Sequence, residues 1–164
     1  MNKIVCNATS LIAFAKIGQL PLMQKIVGNL LIPEAVAQEI SAYSSTASGA
    51  IILADEPWIQ VESLQSQVQM QLLLPTLDKG EAAVIALALE RKASLVLIDE
   101  LTGRKVAQSL QLNVTGSVSL LIKAKEIGEI DAVSPFLHAM RKKGIYFSQR
   151  FIDAVLKHVG EFSD

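Results

Sequence analysis

Apolar residues along the chain follow two rhythms. Short runs such as IVC within residues 3–6 and SLVLI at 94–98 have the length and β-branched content of strands, the second being apolar enough for burial on both faces. Longer stretches repeat apolar residues every three or four positions. They predict helices at 9–16, after Pro21, from Pro33 to about 42, and at 79–91, 101–110, 117–127, 132–142 and 148–158. Pro33 sits where a first helical turn tolerates proline. Strands are expected at 29–32 and 113–115, with residues 58–61 (WIQV) as an additional one, and the Gln-rich stretch 64–74 reads as a helix. Residues 43–50, YSSTASGA, are small and polar and predict a mobile surface loop. Strands alternating with helices predict an α/β fold: a central, mainly parallel sheet covered on both faces. With no internal repeat and no linker, residues 1–164 are expected to form a single domain.

Composition narrows the class. Half of the residues are hydrophobic (51%) and 19% are charged, which excludes a disordered chain. Aromatic residues are only 5%, so the core must be built from Leu, Ile, Val and Ala. The one cysteine, Cys6, can form neither an internal disulfide nor a Cys-based zinc site and reads as core. The apolar runs are too short to span a membrane, and Asn7 to Ser10 break the first one too early for a signal-peptide core. A soluble, cytoplasmic protein is the expectation. The net charge of −1 is uninformative, but its distribution is not. Residues 1–75 carry three basic and five acidic side chains, and residues 76–164 carry twelve and eleven. The basic groups cluster at Arg91–Lys92, Arg104–Lys105 and Arg141–Lys142–Lys143.

Four polar residues stand where a reason is needed. Ligands of an open parallel sheet bind beyond the carboxyl ends of its strands. Asn7 follows the first strand and Asp99 follows SLVLI, so both belong at that edge. Asp99 alone could equally be the N-cap of the next helix. Glu39 falls at about 340° on a wheel that sets Ile32 at 0°, in the middle of an arc formed by Ala35, Val36 and Ile40. A carboxylate facing the core is costly unless it is paired, protonated or bound to metal. Glu81 stands three residues after Asp78, the spacing of a capping box, yet it shares its face with Val84, Ile85 and Ala88. Capping and metal binding both place a carboxylate at a helix start, so the two readings are compatible. Oxygen donors without His or Cys suit a hard cation, Mg²⁺ or Mn²⁺. Without one, crowded carboxylates would repel.

The order of motifs resembles the PIN-domain family, and within it the VapC-like toxin branch. The branch opens with a strand and D/N-x-S/T-P/S-L-I, here Asn7-Ala8-Thr9-Ser10-Leu11-Ile12. It continues with a segment like LIPEAVAQEI (31–40), then LDKGEAAVIALA (77–88), VLIDELTGRKVA (96–107) and VTGS (114–117). The resemblance implies a three-layer α/β/α sandwich and a Mg²⁺- or Mn²⁺-dependent endoribonuclease, the toxin of a type II toxin–antitoxin pair. It implies a homodimer restrained by a small antitoxin protein. It also implies that Asn7, Glu39, Glu81 and Asp99 occupy the catalytic metal-site positions, with Thr9 or Ser10 supporting the first ligand by hydrogen bonding. One departure matters: the first acidic position, usually Asp, is Asn7, which brings no charge and predicts weaker metal affinity. The alternative is therefore a catalytically weakened PIN-like domain that acts as an RNA- or protein-binding module.

The expected reaction is metal-assisted hydrolysis of RNA phosphodiester bonds. Arg104 and Lys105, shortly after Asp99, are placed to hold the RNA backbone. His138 and His158 read as ordinary helix residues. No G-x-G-x-x-G follows the first strand and no G-x-x-x-x-G-K-[ST] occurs, which argues against a nucleotide-binding domain. A phospho-acceptor receiver domain would show paired acids where this chain has Asn7-Ala8.

Overall fold

Every strand in this chain is followed by a helix that carries the chain back, so pairing between strands is parallel. The computed structural model describes residues 2–43 and 49–163; most of the loop expected at 43–50 lies outside the described residues. Strands β1 (Ile4–Cys6), β2 (Leu30–Pro33), β3 (Ile59–Glu62), β4 (Leu95–Leu97) and β5 (Val114–Thr115) form one five-stranded sheet in the order β3-β2-β1-β4-β5. All four pairings are parallel, with Val5 opposite Leu31 on one side and Val96 on the other. The extra strand expected at 58–61 is the edge strand β3, one residue further on.

The helices are α1 (Ala8–Lys16), α2 (Leu20–Val27), α3 (Glu34–Ala42), α4 (Val68–Leu73), α5 (Lys79–Arg91), α6 (Leu101–Ser109), α7 (Ser117–Glu126), α8 (Ser134–Lys142) and α9 (Gln149–His158). Helices α1, α2 and α7 pack on one another, with α8 against α1, while α4 and α6 pack on α5. This is the helix–sheet–helix sandwich expected from the alternation. Three expectations need correcting. Pro33 ends β2 in an extended conformation and precedes the first turn of α3 rather than entering it. The helix expected at 64–74 shrinks to the six residues of α4, and a short 3₁₀ turn at Leu53–Asp55 was not anticipated.

Helix α5 is the keystone. It touches β1, β2 and β4, and every residue from Gly80 to Ala88 is buried. A helix enclosed all round needs apolar residues on all faces, and small ones where it meets the sheet. Gly80, Ala82, Ala83, Ala86 and Ala88 supply the second, and Val84, Ile85 and Leu87 fill the remaining space. Each of these larger side chains contributes roughly 1.5–3 kcal/mol on burial. Because α5 returns the chain from the carboxyl edge of β3 to the start of β4, its first turn lies at the carboxyl edge of the sheet. From β1 the chain moves to β2 and β3 on one side, then crosses to β4 and β5 on the other. The direction therefore switches between β1 and β4, which is where open parallel sheets bind ligands. At the far end of the chain, Glu161 accepts hydrogen bonds from the backbone N–H groups of Val133 and Ser134 and from Lys125 Nζ at 2.9 Å. These bonds tie the segment after α9 to the start of α8. Among the described residues, no helix is long and apolar enough to cross a membrane.

Candidate metal centre

Two carboxylates flank the switch point, and their surroundings differ. Asp99 leaves β4 beside the loops that follow β1 and β5. Its Oδ1 accepts the backbone N–H of Ser117 at 2.7 Å, and its Oδ2 accepts the hydroxyls of Ser117 at 2.6 Å and Ser10 at 3.1 Å. Three donors thus fix one half-buried carboxylate, and they join the starts of α1 and α7 to the end of β4. Gly116 permits this: a Cβ there would come within 2.7 Å of both Asp99 Oδ1 and Arg104 Nη1. Asp99 does not cap α6; Glu100 holds that position without a side-chain hydrogen bond.

Glu81 sits in the first turn of α5 and is only 8% exposed. Its backbone N–H donates to Asp78 Oδ1 at 2.8 Å, the capping bond that the spacing predicts. Its Oε2 is buried and has no hydrogen-bond partner. It lies against α6, where a Cβ on Gly103 would be 2.7 Å from it. Carboxylate oxygens of Asp78, Glu81 and Glu100 lie within 4.8 Å of one another. Burial, then the charges of Asp78 and Glu100, push the Glu81 carboxyl up to about 7, partly offset by the backbone N–H of Asp78. Glu39, on α3, extends over Gly80 at the start of α5. Burial of its carboxyl and the charge of Asp78 raise its pKa as well.

A buried anionic oxygen without a donor, surrounded by like charge, is stable only if protonated or if a cation joins it. An all-oxygen donor set of this kind fits Mg²⁺ or Mn²⁺. Asp78, Glu81 and Glu100 are the residues that could hold one, with Glu39 and Asp99 at its margins.

The expected residues are all at this edge, but not in one cluster. Of the four metal-site positions, only Glu81 belongs to the group spaced at 4.8 Å. Asn7 is buried, and its Oδ1 accepts the N–H of Ser10 at 3.0 Å, making it the N-cap of α1. Ser10 supports Asp99 with its hydroxyl and Asn7 with its N–H; Thr9 is exposed and lines a neighbouring groove. Glu39 is exposed rather than directed into the core. The wheel set it among apolar neighbours, whereas in the structure its carboxyl lies over Gly80 at the start of α5 and the residue stays open to water. Glu100 and Ser117 went unrecognised, and Asp78 was read only as a cap. The signals for them were slight: an acid adjoining Asp99, and a serine closing VTGS.

A groove of about 740 Å³ opens at this edge, and Asp99, Arg104 and Ser117 are among its lining residues together with Tyr146, Phe147 and Phe151. Arg104 is half-buried and donates to the Ile98 carbonyl at 3.3 Å. Lys105, turned by about 100°, is exposed and does not line the groove. His138 and His158 are exposed on their helices, away from the acids, and Cys6 is buried.

A family model described as a PIN domain matches residues 3–161 of this chain. No curated protein matches it.

Proposed function

Because the chain belongs to the PIN-domain family, we propose that it is a metal-dependent endoribonuclease acting as one domain over residues 1–164. The observation that carries this reading is the partnerless Glu81 Oε2, buried among the carboxylates of Asp78 and Glu100 at the switch point of the sheet. The proposed catalytic set is Glu39, Glu81 and Asp99 with Asn7, to which Asp78 and Glu100 are added. Mg²⁺ or Mn²⁺ bound there supplies electrophilic chemistry: it neutralises charge developing on phosphate oxygens and acidifies water. Glu81, Asp78 and Glu100 provide the negative charge that retains the cation. Ser10 and Ser117 hold Asp99 in one orientation at the rim. Burial and the charges of Asp78 and Glu100 raise the pKa of Glu81 to about 7, so a cation bound there would compete with a proton. Arg104 orients the RNA backbone at the groove mouth, with Lys105 a weaker, outlying contact. On its run of VapC-like motifs, the protein acts in the cytoplasm as a homodimeric toxin restrained by a small antitoxin protein.

A second reading is favoured by one observation: the first acidic position is Asn7, and its amide oxygen is engaged in capping α1. A domain so weakened would bind RNA or protein without cutting. Incubation with structured and single-stranded RNAs, in Mn²⁺ or Mg²⁺ and in EDTA, separates the two. Metal-dependent cleavage that Asp99→Ala abolishes is the expected result. Silence of the wild type with cleavage by Asn7→Asp would instead identify a disabled nuclease.

A further inference from the structure

Helix α8 begins without a cap of its own: no side chain near Val133 in sequence serves its first turn. The donors of that turn are met by Glu161, which lies beyond α9. Its Oε2 accepts the N–H of Val133 at 2.8 Å and its Oε1 that of Ser134 at 2.9 Å. Lys125, on α7, donates from Nζ to the same Oε2 at 2.9 Å and to the Val159 carbonyl at 2.7 Å. The Glu161 side chain is only 12% exposed. Gly160, at φ +76°, makes the turn that brings Glu161 back to α8, a backbone conformation that suits glycine. Residues 133–161 thus form a closed unit, two helices pinned at their open ends. Apart from Lys125, one hydrogen bond among the described residues ties this unit to the rest of the protein, a long one from Lys16 Nζ to the Lys143 carbonyl at 3.5 Å. Helix α8 packs on α1, whereas α9 makes no extended contact with another described helix or strand.

We propose that α8 and α9 form a flap over the groove beside Asp99, and that Glu161 is the clasp that keeps it shut. Met140, Ile145, Phe147 and Val155 of this unit line the groove together with Ile12 of α1 and Ile122 of α7. Leu137, Met140, Ile152 and Val155 are buried, so opening the flap exposes apolar surface and the closed state dominates. Release requires no change in the sheet or in α5, because Glu161, Lys125, Val133 and Ser134 belong to neither. A contiguous segment with few ties to the remainder opens at a free energy below that of global unfolding. Loss of Glu161 removes both the cap and the Lys125 pair and leaves the Val133 N–H without an acceptor. The inference concerns access to the groove and holds whatever chemistry the acidic edge performs.

The test is thiol labelling of the full chain, read by mass spectrometry. Val155→Cys places a thiol at a groove-lining position that is 7% exposed. The native Cys6, buried in β1, reports global unfolding in the same molecule. The introduced thiol should react at least about tenfold faster than Cys6, as an opening short of global unfolding requires. Adding Glu161→Ala should speed it a further 2- to 30-fold or so, about the range of a lost helix cap. Lys125→Met, which leaves both backbone bonds to Glu161 in place, should give a smaller rise of about 2- to 5-fold, and it carries the test if Glu161→Ala fails to fold. Ile32→Val, in the core outside the flap, should speed Cys6 by roughly 2- to 10-fold and leave the introduced thiol unchanged, because it weakens the open and closed forms alike. If Ile32→Val speeds both thiols equally, the unit opens only with the whole molecule and there is no flap. If the introduced thiol is indifferent to the Glu161 and Lys125 changes, the clasp is overturned.

Discussion

Asp99 and Glu81 stand at the same edge of the same sheet, yet their carboxylates are treated in opposite ways. Asp99 receives three hydrogen bonds from Ser10 and Ser117. Those donors occupy both of its oxygens, so the protein itself satisfies this carboxylate. Glu81 is more deeply buried, faces Asp78 and Glu100, and leaves Oε2 without a donor. One carboxylate is satisfied by the protein's own donors, and the other has a buried oxygen with no donor among like charges. On this contrast the proposed cation would sit at Glu81, while Asp99 is a positioned rim group that ties three strand–helix junctions together.

The largest effect should come from neutralising each in turn. Glu81→Gln is expected to reduce metal-dependent RNA cleavage by at least about a hundredfold while raising the melting temperature of the metal-free protein above pH 7. Asp99→Asn is expected to lower stability by about 1–3 kcal/mol, because its serine donors lose an acceptor. Chemical denaturation of both variants in EDTA reads the two signs. If they move stability in the same direction, the comparison fails.

The pH dependence sharpens it. For Glu81 the folded pKa, about 7, lies above the ordinary carboxyl value of 4.5. Between those values the folded protein holds more protons than the unfolded chain, so this group makes stability fall as pH rises through the window. The loss is on the order of a few kcal/mol without metal. Glu39 contributes in the same direction. Glu161 acts oppositely: burial raises its pKa, but the N–H groups of Val133 and Ser134 and the Lys125 ammonium outweigh that and lower it. Its contribution is therefore present above the unfolded carboxyl pKa and lost in acid. The difference between wild type and Glu81→Gln across pH 4.5 to 7 isolates the Glu81 term. Mn²⁺, which competes with the proton, should flatten that difference.

Smaller effects follow from the glycines beneath the two groups. Gly103→Ala would press on Glu81 Oε2 and on Ile98 Cγ2, the latter at 3.0 Å. It should cost about 1–3 kcal/mol and weaken Mn²⁺ binding. Gly116→Ala should cost a similar amount by displacing Asp99 and Arg104, with a smaller effect on the metal. The smallest effect belongs to Lys105→Ala, a surface change expected to alter stability by less than about 0.5 kcal/mol and RNA affinity much less than Arg104→Ala does. A Lys105 effect as large as that of Arg104 would redraw the RNA path.

Much of this was legible because it follows from local pattern. The bounds of α5 match those expected, since the Asp78 cap and the enclosed apolar run mark its start and extent. The parallel sheet followed from the alternation of elements, and the positions of Asn7 and Asp99 at its edge followed from their place after strands. What escaped depends on distance between elements. Glu100 reaches Glu81 only through the geometry of the β4–α6 turn, and Ser117 reaches Asp99 only across the β4–β5 pairing; neither leaves a trace in periodicity. A wheel sets Glu39 among apolar neighbours but does not report where they end. Asn7 was readable in another way, because asparagine is among the preferred N-cap residues, and the structure uses it as one. The aromatic groove was hidden because its rings come from the α8–α9 connection and from α9 itself, and the chain's few aromatics showed no pattern.

The central claim is that the cation binds where the protein leaves an anion unsatisfied. Titration calorimetry with Mn²⁺ on wild type, Glu81→Gln, Glu100→Gln and Asn7→Ala tests it most directly. Saturable binding by the wild type, lost in Glu81→Gln, weakened in Glu100→Gln and largely kept in Asn7→Ala, is the predicted result. Binding that survives Glu81→Gln but disappears with Asn7→Ala would contradict the account and move the metal toward β1.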